Sequence, residues 1–536
     1  MTLTEETAPP LPRKNLRDTL LDALRPLPGT REFHIHVLQS SPRRNSSLYQ
    51  FAKPRPRTYV QDVLVLLSEQ SSKTPNEQRV LVTAIEANLY HVPSTSNAIL
   101  YVCKVDSTGQ TSGVSPTKAL VRAFLNYYAD PATRPLPGVK NVWIQLFARA
   151  QGQYLFPNSV MWEGKKPLSD VRLCAWWKRM LAQVALDVIK STATTENATS
   201  DSSTTGVTNT SIKAYYILPG YSQLEAEYSL KVVSSDVAWE YGHPYTLQDT
   251  STLPCPPCTS QVRNLGHYIP HFEDDPKSRF LDEIAYTTSG EVKSPVRKRA
   301  KTATSVDDAR QRETKDRDLG DNGKEKEKDD RPLGELGKVT ADEFWERMSF
   351  RQECVAGAVT GFFSVVVSTK KLEPHVGTNS RSPLEPEAGQ VSSQINKRVQ
   401  TALTTGVEFS TAERAIKATE TLESTIKRLC EGLGGSSAGG RSRTPEPRKR
   451  SNSTLLVPPR TPPRNETTQV VGEITPNPFP EPVASLETYQ SDIYGSVWVR
   501  NPDGEARGEG GGKGGEKASS PAVTVLTARK KKKRGE

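Results

Sequence analysis

The chain has 536 residues, enough for two or three domains, but only 35% are hydrophobic and 40 prolines accompany 35 glycines. A sizeable part therefore cannot bury a core. The net charge of +10 points to acidic partners such as nucleic acid, acidic chaperone tails or anionic cofactors, while six cysteines in so long a chain argue against a disulfide framework and for a reducing compartment.

No secretory leader is expected, because MTLTEETAPPLPRK has no apolar stretch. Residues 1–190 read as α/β. FHIHVL (33–38), DVLVLLS (62–68), RVLVTAIEANLY (79–90) and AILYVCKV (98–105) are β-rich runs, the first with period-two alternation. Ser115 as N-cap and Pro116 at the first helical position predict a helix to about Tyr128. NVWIQLFA (141–148) is a further strand, and 169–190 has the apolar spacing of an amphipathic helix.

A Ser/Thr-rich insertion is expected at about 191–211. Folded sequence resumes at IKAYYILPGY and continues through Tyr286. A charged insertion at about 289–338 follows, and order returns where Thr340 and Glu343 fit a capping box. CVAGAVTGFFSVVVST, from Cys354 to Thr369, is uncharged but shorter than the roughly 20 residues a bilayer span needs, so it reads as a buried helix or a helix-to-strand segment. A last helix places Ala415, Ile416, Leu422, Ile426 and Leu429 on one face and ends at Gly432.

No internal repeats are visible. The expected organisation is one α/β domain over 1–435, interrupted by two disordered insertions, then a disordered basic tail over 436–536. Residues 441–536 hold 17 Lys and Arg against 11 Asp and Glu, so most of the excess charge lies there. One apolar island in the tail, LETYQSDIYGSVWVR (486–500), could dock on a partner or back on the domain, with low-affinity residual structure as the alternative.

Several motifs carry little. Cys255-x2-Cys258 and His267-x3-His271 supply zinc-type ligands, but the spacer is short and prolines stiffen it, so ordinary loop residues are expected. RGEGGG (507–512) fits the R-x-x-G-x-G loop of an acetyltransferase superfamily, without a flanking strand or helix. There is no Walker loop, dinucleotide fingerprint or G-x-S-x-G elbow. VRKRAK (296–301), RKR (448–450) and RKKKKR (529–534) read as nuclear import signals or nucleic-acid and chaperone contacts, or simply as solvated charge.

HFEDDPKSRFLDEIAY (271–286) sets Asp274, Asp275 and Lys277 among Phe272, Phe280 and Leu281. Alone it reads as a polar turn with an aspartate N-cap. An acid among aromatic rings also suits proton removal from a lysine amine, whose ordinary pKa is about 10.4. Burial and a second aspartate raise a carboxyl pKa, and a nearby lysine opposes that until acetylation removes its charge. Trp176 and Trp177 read first as core residues of their helix, one packing inward while the other borders a groove.

CKVDSTG (103–109), LFARAQGQYLFPNS (146–159), LCAWWKRML (173–181), FEDDPKSRFLDEIA (272–285) and FWERMSFRQE (344–353) together resemble the fungal histone acetyltransferases of the regulator-of-Ty-transposition family. The resemblance spans about residues 10–435. It implies a fold like that of the CREB-binding-protein acetyltransferases, a central mixed sheet wrapped by helices. It implies acetyl-coenzyme A as donor, no metal, and a core-domain lysine of histone H3 as acceptor, with N-terminal lysines as further candidates.

Residue by residue, the resemblance implies Asp275 as the active-site acid with Asp274 beside it, Trp177 and Asp106 as catalytic residues, and Lys277 as an autoacetylated lysine. Cofactor contacts fall on Val105, Asp106 and Ser107; on Gly113, Val114, Ser115, Pro116 and Thr117; on Phe147 and Gln151; on Lys166, Pro167 and Leu168; and on Trp176. Arg149 and Tyr154 are expected in the same groove. Gln151 and Lys166 depart from the family's residue types.

The implied partners are histone H3–H4 and histone chaperones of the anti-silencing-function and nucleosome-assembly-protein types. The implied setting is the nucleus, in replication-coupled nucleosome assembly, the DNA damage response and transcription regulation. No membrane role is expected, and DNA contact is not expected to be primary. A +10 enzyme gains little attraction to a basic histone, and an acidic chaperone would bridge the two. The competing reading is a non-catalytic chromatin scaffold that keeps the fold to bind chaperones.

Overall fold

The computed structural model describes residues 14–71, 78–198, 210–231, 237–245, 253–255, 264–286, 334–355, 358–369, 382–431, 479–480, 482 and 485–502. Ten strands form one sheet: β1 (Gly29–Gln39), β2 (Arg43–Asn45), β3 (Thr58–Ser71), β4 (Arg79–Val92), β5 (Asn97–Ser107), β6 (Asn141–Ala148), β7 (Thr210–Ile217), β8 (Trp239–Tyr241), β9 (Gly361–Thr369) and β10 (Tyr494–Asn501). Their spatial order is β10-β1-β3-β4-β5-β6-β9-β7-β8, with β2 on β3. Only the β5–β6 and β7–β8 pairs are parallel, so the sheet is mixed. The β5–β6 connection runs through a helix, α2 (Thr117–Ala129), because parallel neighbours need a long crossover.

Both faces of the central strands are covered, which is why they read as unbroken apolar runs. On β3, Val63, Val65 and Leu67 enter one core while Leu64 and Leu66 enter another. The first core lies under α1 (Leu16–Leu24), α2 and α3 (Asp170–Ala198). On the opposite face, α5 (Pro276–Tyr286) and α6 (Ala341–Met348) pack Phe280, Phe344 and Trp345 against Trp143 and Phe362. On that same face, α8 (Ser393–Thr405) and α9 (Ala412–Glu431) cover β3 and β4. Among the shorter helices, α4 (Gln223–Leu230) lies beside α3, α7 (Gln352–Val355) precedes β9, and α10 (Leu486–Thr488) leads through a π-turn into β10.

Several boundaries move. The first helical residue of α2 is Thr117, one later than expected, and Pro116 takes the cap position. Thr340 caps α6, its hydroxyl oxygen accepting from Glu343 N at 3.2 Å. The apolar 354–369 run becomes the end of α7 followed by buried β9. Among the described residues no helix is long and apolar enough to cross a membrane. On α9, Ala415, Leu422 and Ile426 are buried together with Thr419 and Cys430, whereas Ile416 and Leu429 are only partly covered.

The expected insertions shrink. α3 runs to Ala198 and β7 starts at Thr210, so 191–198 is helical backbone and 199–209 lies outside the described residues. Residues 287–333 also lie outside them, whereas Leu336 is already buried and Glu335 N donates to Ile284 O at 3.1 Å.

The larger correction is at the tail, where 485–502 belongs to the domain. β10 pairs antiparallel with β1, from Gly29↔Asn501 to His36↔Tyr494. Val497 and Val499 enter the first core and Ile493 the third. Without β10, β1 would be an open edge, and the alternation in YGSVWVR supplies the missing partner. Residues 436–478 and 503–536, with RGEGGG, 448–450 and 529–534, lie outside the described residues, as does 296–301.

Two histidines clasp this segment. His34 Nδ1 lies 2.9 Å from the Tyr494 hydroxyl and His36 Nε2 lies 3.0 Å from that of Tyr489. Burial lowers both pKa values, with Arg79 adding to the effect at His34, and His36 falls to about 3. Both are neutral when folded near pH 7, while an unfolded chain takes up protons below about pH 6.5. For His36 the folded state therefore loses about 1.4 kcal/mol of stability per pH unit as pH falls below that value. Melting temperature should drop between pH 6.5 and 5, and His36→Gln should flatten that slope.

Candidate active site

The pairing of β5 with β6 stops at Val102↔Leu146. Beyond it β5 stays with β4 as far as Ser107, and β6 stays with β9 as far as Ala148. The two strands part at their carboxyl ends, where parallel neighbours commonly open a ligand crevice. A cavity of about 290 Å³ fills the gap.

Val105, Asp106, Ser107, Ser115, Thr117, Phe147, Arg149, Gln151, Tyr154, Lys166, Pro167, Leu168 and Trp176 all line this cavity, and so does Trp177. Gly113, Val114 and Pro116 do not. Their loop is pinned from behind by buried Arg31, which donates to Val114 O at 2.7 Å and to Thr111 Oγ1 at 3.0 Å and pairs with Glu69 at 3.1 Å. Sequence reading missed Arg31, because a lone arginine at the start of a strand carries no pattern.

Asp106 is buried and fully engaged by hydrogen-bond donors. Its Oδ2 accepts from the backbone N–H groups of Tyr154, Leu155 and Phe156 at 2.7, 2.8 and 3.1 Å. Its Oδ1 accepts from Ser107 N and from Lys165 Nζ, both at 2.8 Å. Five donors on one buried carboxylate give Asp106, expected as a catalytic residue, a positioning role: it ties the QYLFP loop to the end of β5. Gly109, at φ +76°, lets the turn after β5 press on Lys165, whose Cα would stand 2.6 Å from an added Cβ.

The two indoles meet edge to face at 4.8 Å. Trp177 is buried in the first core and Trp176 is half-buried, yet both reach the cavity. Perpendicular rings allow this where adjacent helical positions alone would not. Tyr154 spans the mouth. Its hydroxyl accepts from Gln151 N at 3.1 Å and donates to Arg149 O, and burial lifts its pKa to about 12.

The DDPK segment is both a helix cap and a buried ion pair. Asp275 precedes α5, with Oδ1 accepting from Lys277 N at 2.8 Å and Pro276 at the first helical position. Asp275 Oδ2 meets Lys277 Nζ at 2.7 Å, and the carboxylate is 0% exposed. Lys277 Nζ also lies 4.8 Å from the Phe362 ring and 5.4 Å from the Phe272 ring. A void of only about 10 Å³, walled partly by Tyr245 and Trp345, touches Lys277. Asp274 turns the chain at φ +60° and is exposed, whereas Asp275 is buried. Asp274 lines a second cavity, whereas Asp275 lines neither.

That second cavity holds about 590 Å³ and shares Cys103, Lys104, Phe147, Arg149, Gln151 and Tyr154 with the first. Asp62 and Glu86 on its wall are already engaged, by Arg43 at 2.7 Å and by Lys104 at 3.1 Å. Glu273 and Asp274 are exposed on it. Cys103 sits at a bulge between Glu86 and Ala87 of β4, where the two cavities adjoin. Lys118, Lys165 and Cys103 line the first cavity and were not singled out from sequence.

The zinc-type residues have other partners. His267 Nε2 accepts from Lys53 N at 3.0 Å, His271 Nε2 lies 3.2 Å from Asp282, and Cys255 is buried in the second core. Cys258 lies outside the described residues. Among the described residues no group of three or more His, Cys, Asp or Glu could hold a metal ion.

Residues 129–425 match the family model of the histone acetyltransferase KAT11-type domain. The chain is similar to histone acetyltransferase rtt109 of Aspergillus flavus, at 28% identity over 326 residues, covering 58% of this chain and 49% of that protein. It is 25% identical over 289 residues to histone acetyltransferase rtt109 of Schizosaccharomyces pombe, covering 54% and 57%. It thus spans about half the length of the curated relatives it matches. The crystal structure of Rtt109 from Aspergillus fumigatus superposes with a TM-score of 0.53 at 23% identity, over 76% of this chain and 96% of that one, which shows the shared fold.

Proposed function

Because this chain belongs to the KAT11-type histone acetyltransferase family, we propose that it acetylates a core-domain lysine of histone H3, with acetyl-coenzyme A as donor. The observation that carries this reading is the pair of cavities meeting along Cys103, Phe147 and Tyr154, one suited to each reactant. The smaller fits the donor: Leu146, Phe147, Trp176 and Trp177 offer an apolar wall to its arm. Thr117 and Lys118, at the start of α2, and exposed Lys166 offer N–H groups and cations to its phosphates. When bound, the donor supplies the electrophilic thioester.

The larger cleft would take the substrate lysine, with Glu273 and Asp274 attracting its charge. Asp275 serves as the deeper proton acceptor. Acetylation of Lys277 would remove the positive charge held 2.7 Å from it and leave the carboxylate free to receive a proton. The void beside Lys277 is small, so an acetyl group there would displace the Tyr245 wall. The basic balance of +10 supports presentation of H3–H4 by an acidic chaperone in the nucleus, in nucleosome assembly and the response to DNA damage.

Full-length protein incubated with acetyl-coenzyme A and H3–H4, with and without an acidic chaperone, tests this by mass spectrometry. Acetyl groups should appear on H3, faster with the chaperone, and on Lys277 of the enzyme. Tight histone binding without affinity for acetyl-coenzyme A would instead indicate a scaffold.

A further inference from the structure

Two buried charges stand behind the wall of the smaller cavity without lining it: Arg31 on β1 and Glu69 on β3, paired at 3.1 Å with side chains 1% and 3% exposed. The segment 108–117, which joins β5 to α2, closes over them. Its ends are fixed to β4, by Thr108 Oγ1 donating to Leu81 O at 2.8 Å and by the Thr83 and Thr117 hydroxyls 2.8 Å apart. Its middle is fixed to the pair. Glu69 Oε2 accepts from Thr111 Oγ1 at 2.6 Å, while Oε1 accepts from Ser112 N at 2.8 Å and from the Ser112 hydroxyl. Arg31 donates to Thr111 Oγ1 and to Val114 O. Gly113 lies so near that an added Cβ would stand 3.4 Å from Arg31 Nη1. We propose that Arg31 and Glu69 are positioning residues for the donor. By bonding Thr111, Ser112 and Val114 from behind, they hold Ser115, Thr117 and Lys118 at the cavity wall, where the phosphates of acetyl-coenzyme A would meet them. This inference rests on the acetyl-transfer reading.

A buried ion pair is a weak source of stability, because desolvating two charges offsets their attraction, and an apolar pair of similar volume can replace it. An apolar pair cannot supply the donors and acceptors that fix Thr111, Ser112 and Val114. Without them the donor itself must order this segment as it binds, and that ordering weakens binding. Neither residue lines either cavity, so a complex once formed reacts as before. The pair therefore acts on how tightly the donor is held and leaves the chemical step alone.

Arg31→Met combined with Glu69→Leu in the full chain removes both charges at once, so neither is stranded and the melting temperature should stay near wild type. The Kd for coenzyme A, read by calorimetry, and the KM for acetyl-coenzyme A should both rise about tenfold or more. At saturating donor, kcat and the KM for histone should stay within about threefold of wild type, the pattern of lost binding rather than lost catalysis. Arg31→Lys keeps the charge but lacks the fork that reaches Thr111 and Val114 together, so its constants should fall between wild type and the double variant. If the double variant unfolds, Thr111→Val deletes the hydroxyl that both charges share and leaves the pair in place. It should raise the same two constants about fivefold, the scale of a lost hydrogen bond. Wild-type affinity for coenzyme A in the folded double variant, or in Thr111→Val where the double variant unfolds, overturns the positioning role alone, and so does a kcat loss larger than the rise in KM. A wild-type chain that neither binds coenzyme A nor transfers acetyl overturns the acetyl-transfer reading with it.

Discussion

Asp275→Ala is expected to lower the stability of the full chain by about 3–5 kcal/mol, the usual consequence of leaving one partner of a buried ion pair without the other. Lys277 Nζ has Asp275 at 2.7 Å and is otherwise surrounded by the Phe272 and Phe362 rings. Ring faces attract a cation, but they replace only part of a lost carboxylate. The substitution also removes the cap of α5, worth roughly another 1 kcal/mol. Adding Lys277→Met removes the stranded charge, so the double variant should recover most of the loss in chemical denaturation. It should not recover acetyl transfer, because the proposed proton acceptor is still missing. A single variant as stable as wild type would mean that the lysine charge has found another partner.

Ending the chain at residue 484 is the second large lesion. Burial of Val497 and Val499 stabilises by about 1.5–3 kcal/mol each, partly offset by the entropy of ordering the strand, and His34 and His36 lose their hydroxyl partners. A net loss on the order of 3 kcal/mol is expected, with association of the truncated protein through the bared β1 edge. Ending the chain at residue 502 keeps β10 and should give a melting temperature well above that of the 484 truncation. Equal melting temperatures for the 484 and 502 truncations would show that the clasp contributes nothing.

The sequence made some of these features legible and hid others for physical reasons. Strands β1 and β3–β6 announced themselves because apolar runs must be buried on one or both faces. The cavity was legible through a resemblance of residues, 13 of whose 16 implied cofactor contacts line one space. The other three, Gly113, Val114 and Pro116, are held aside by Arg31, and that long-range pairing leaves no local trace. The donors to Asp106 were hidden for a similar reason: they come partly from a loop some 50 residues away. The domain boundary was set too early because composition averages over the tail, while the 486–500 island, for which docking back on the domain was one alternative, needed only a few alternating residues and a waiting edge.

The place of β10 also sets an order of events. His34 and Tyr494 are 460 residues apart, which at about 5–20 residues per second of synthesis amounts to roughly 20–90 s. Through that interval β1 has no neighbour on its outer side. A chain ended before β10 would keep the rest of the sheet with its flank bare, which quality-control machinery that binds open strands could recognise.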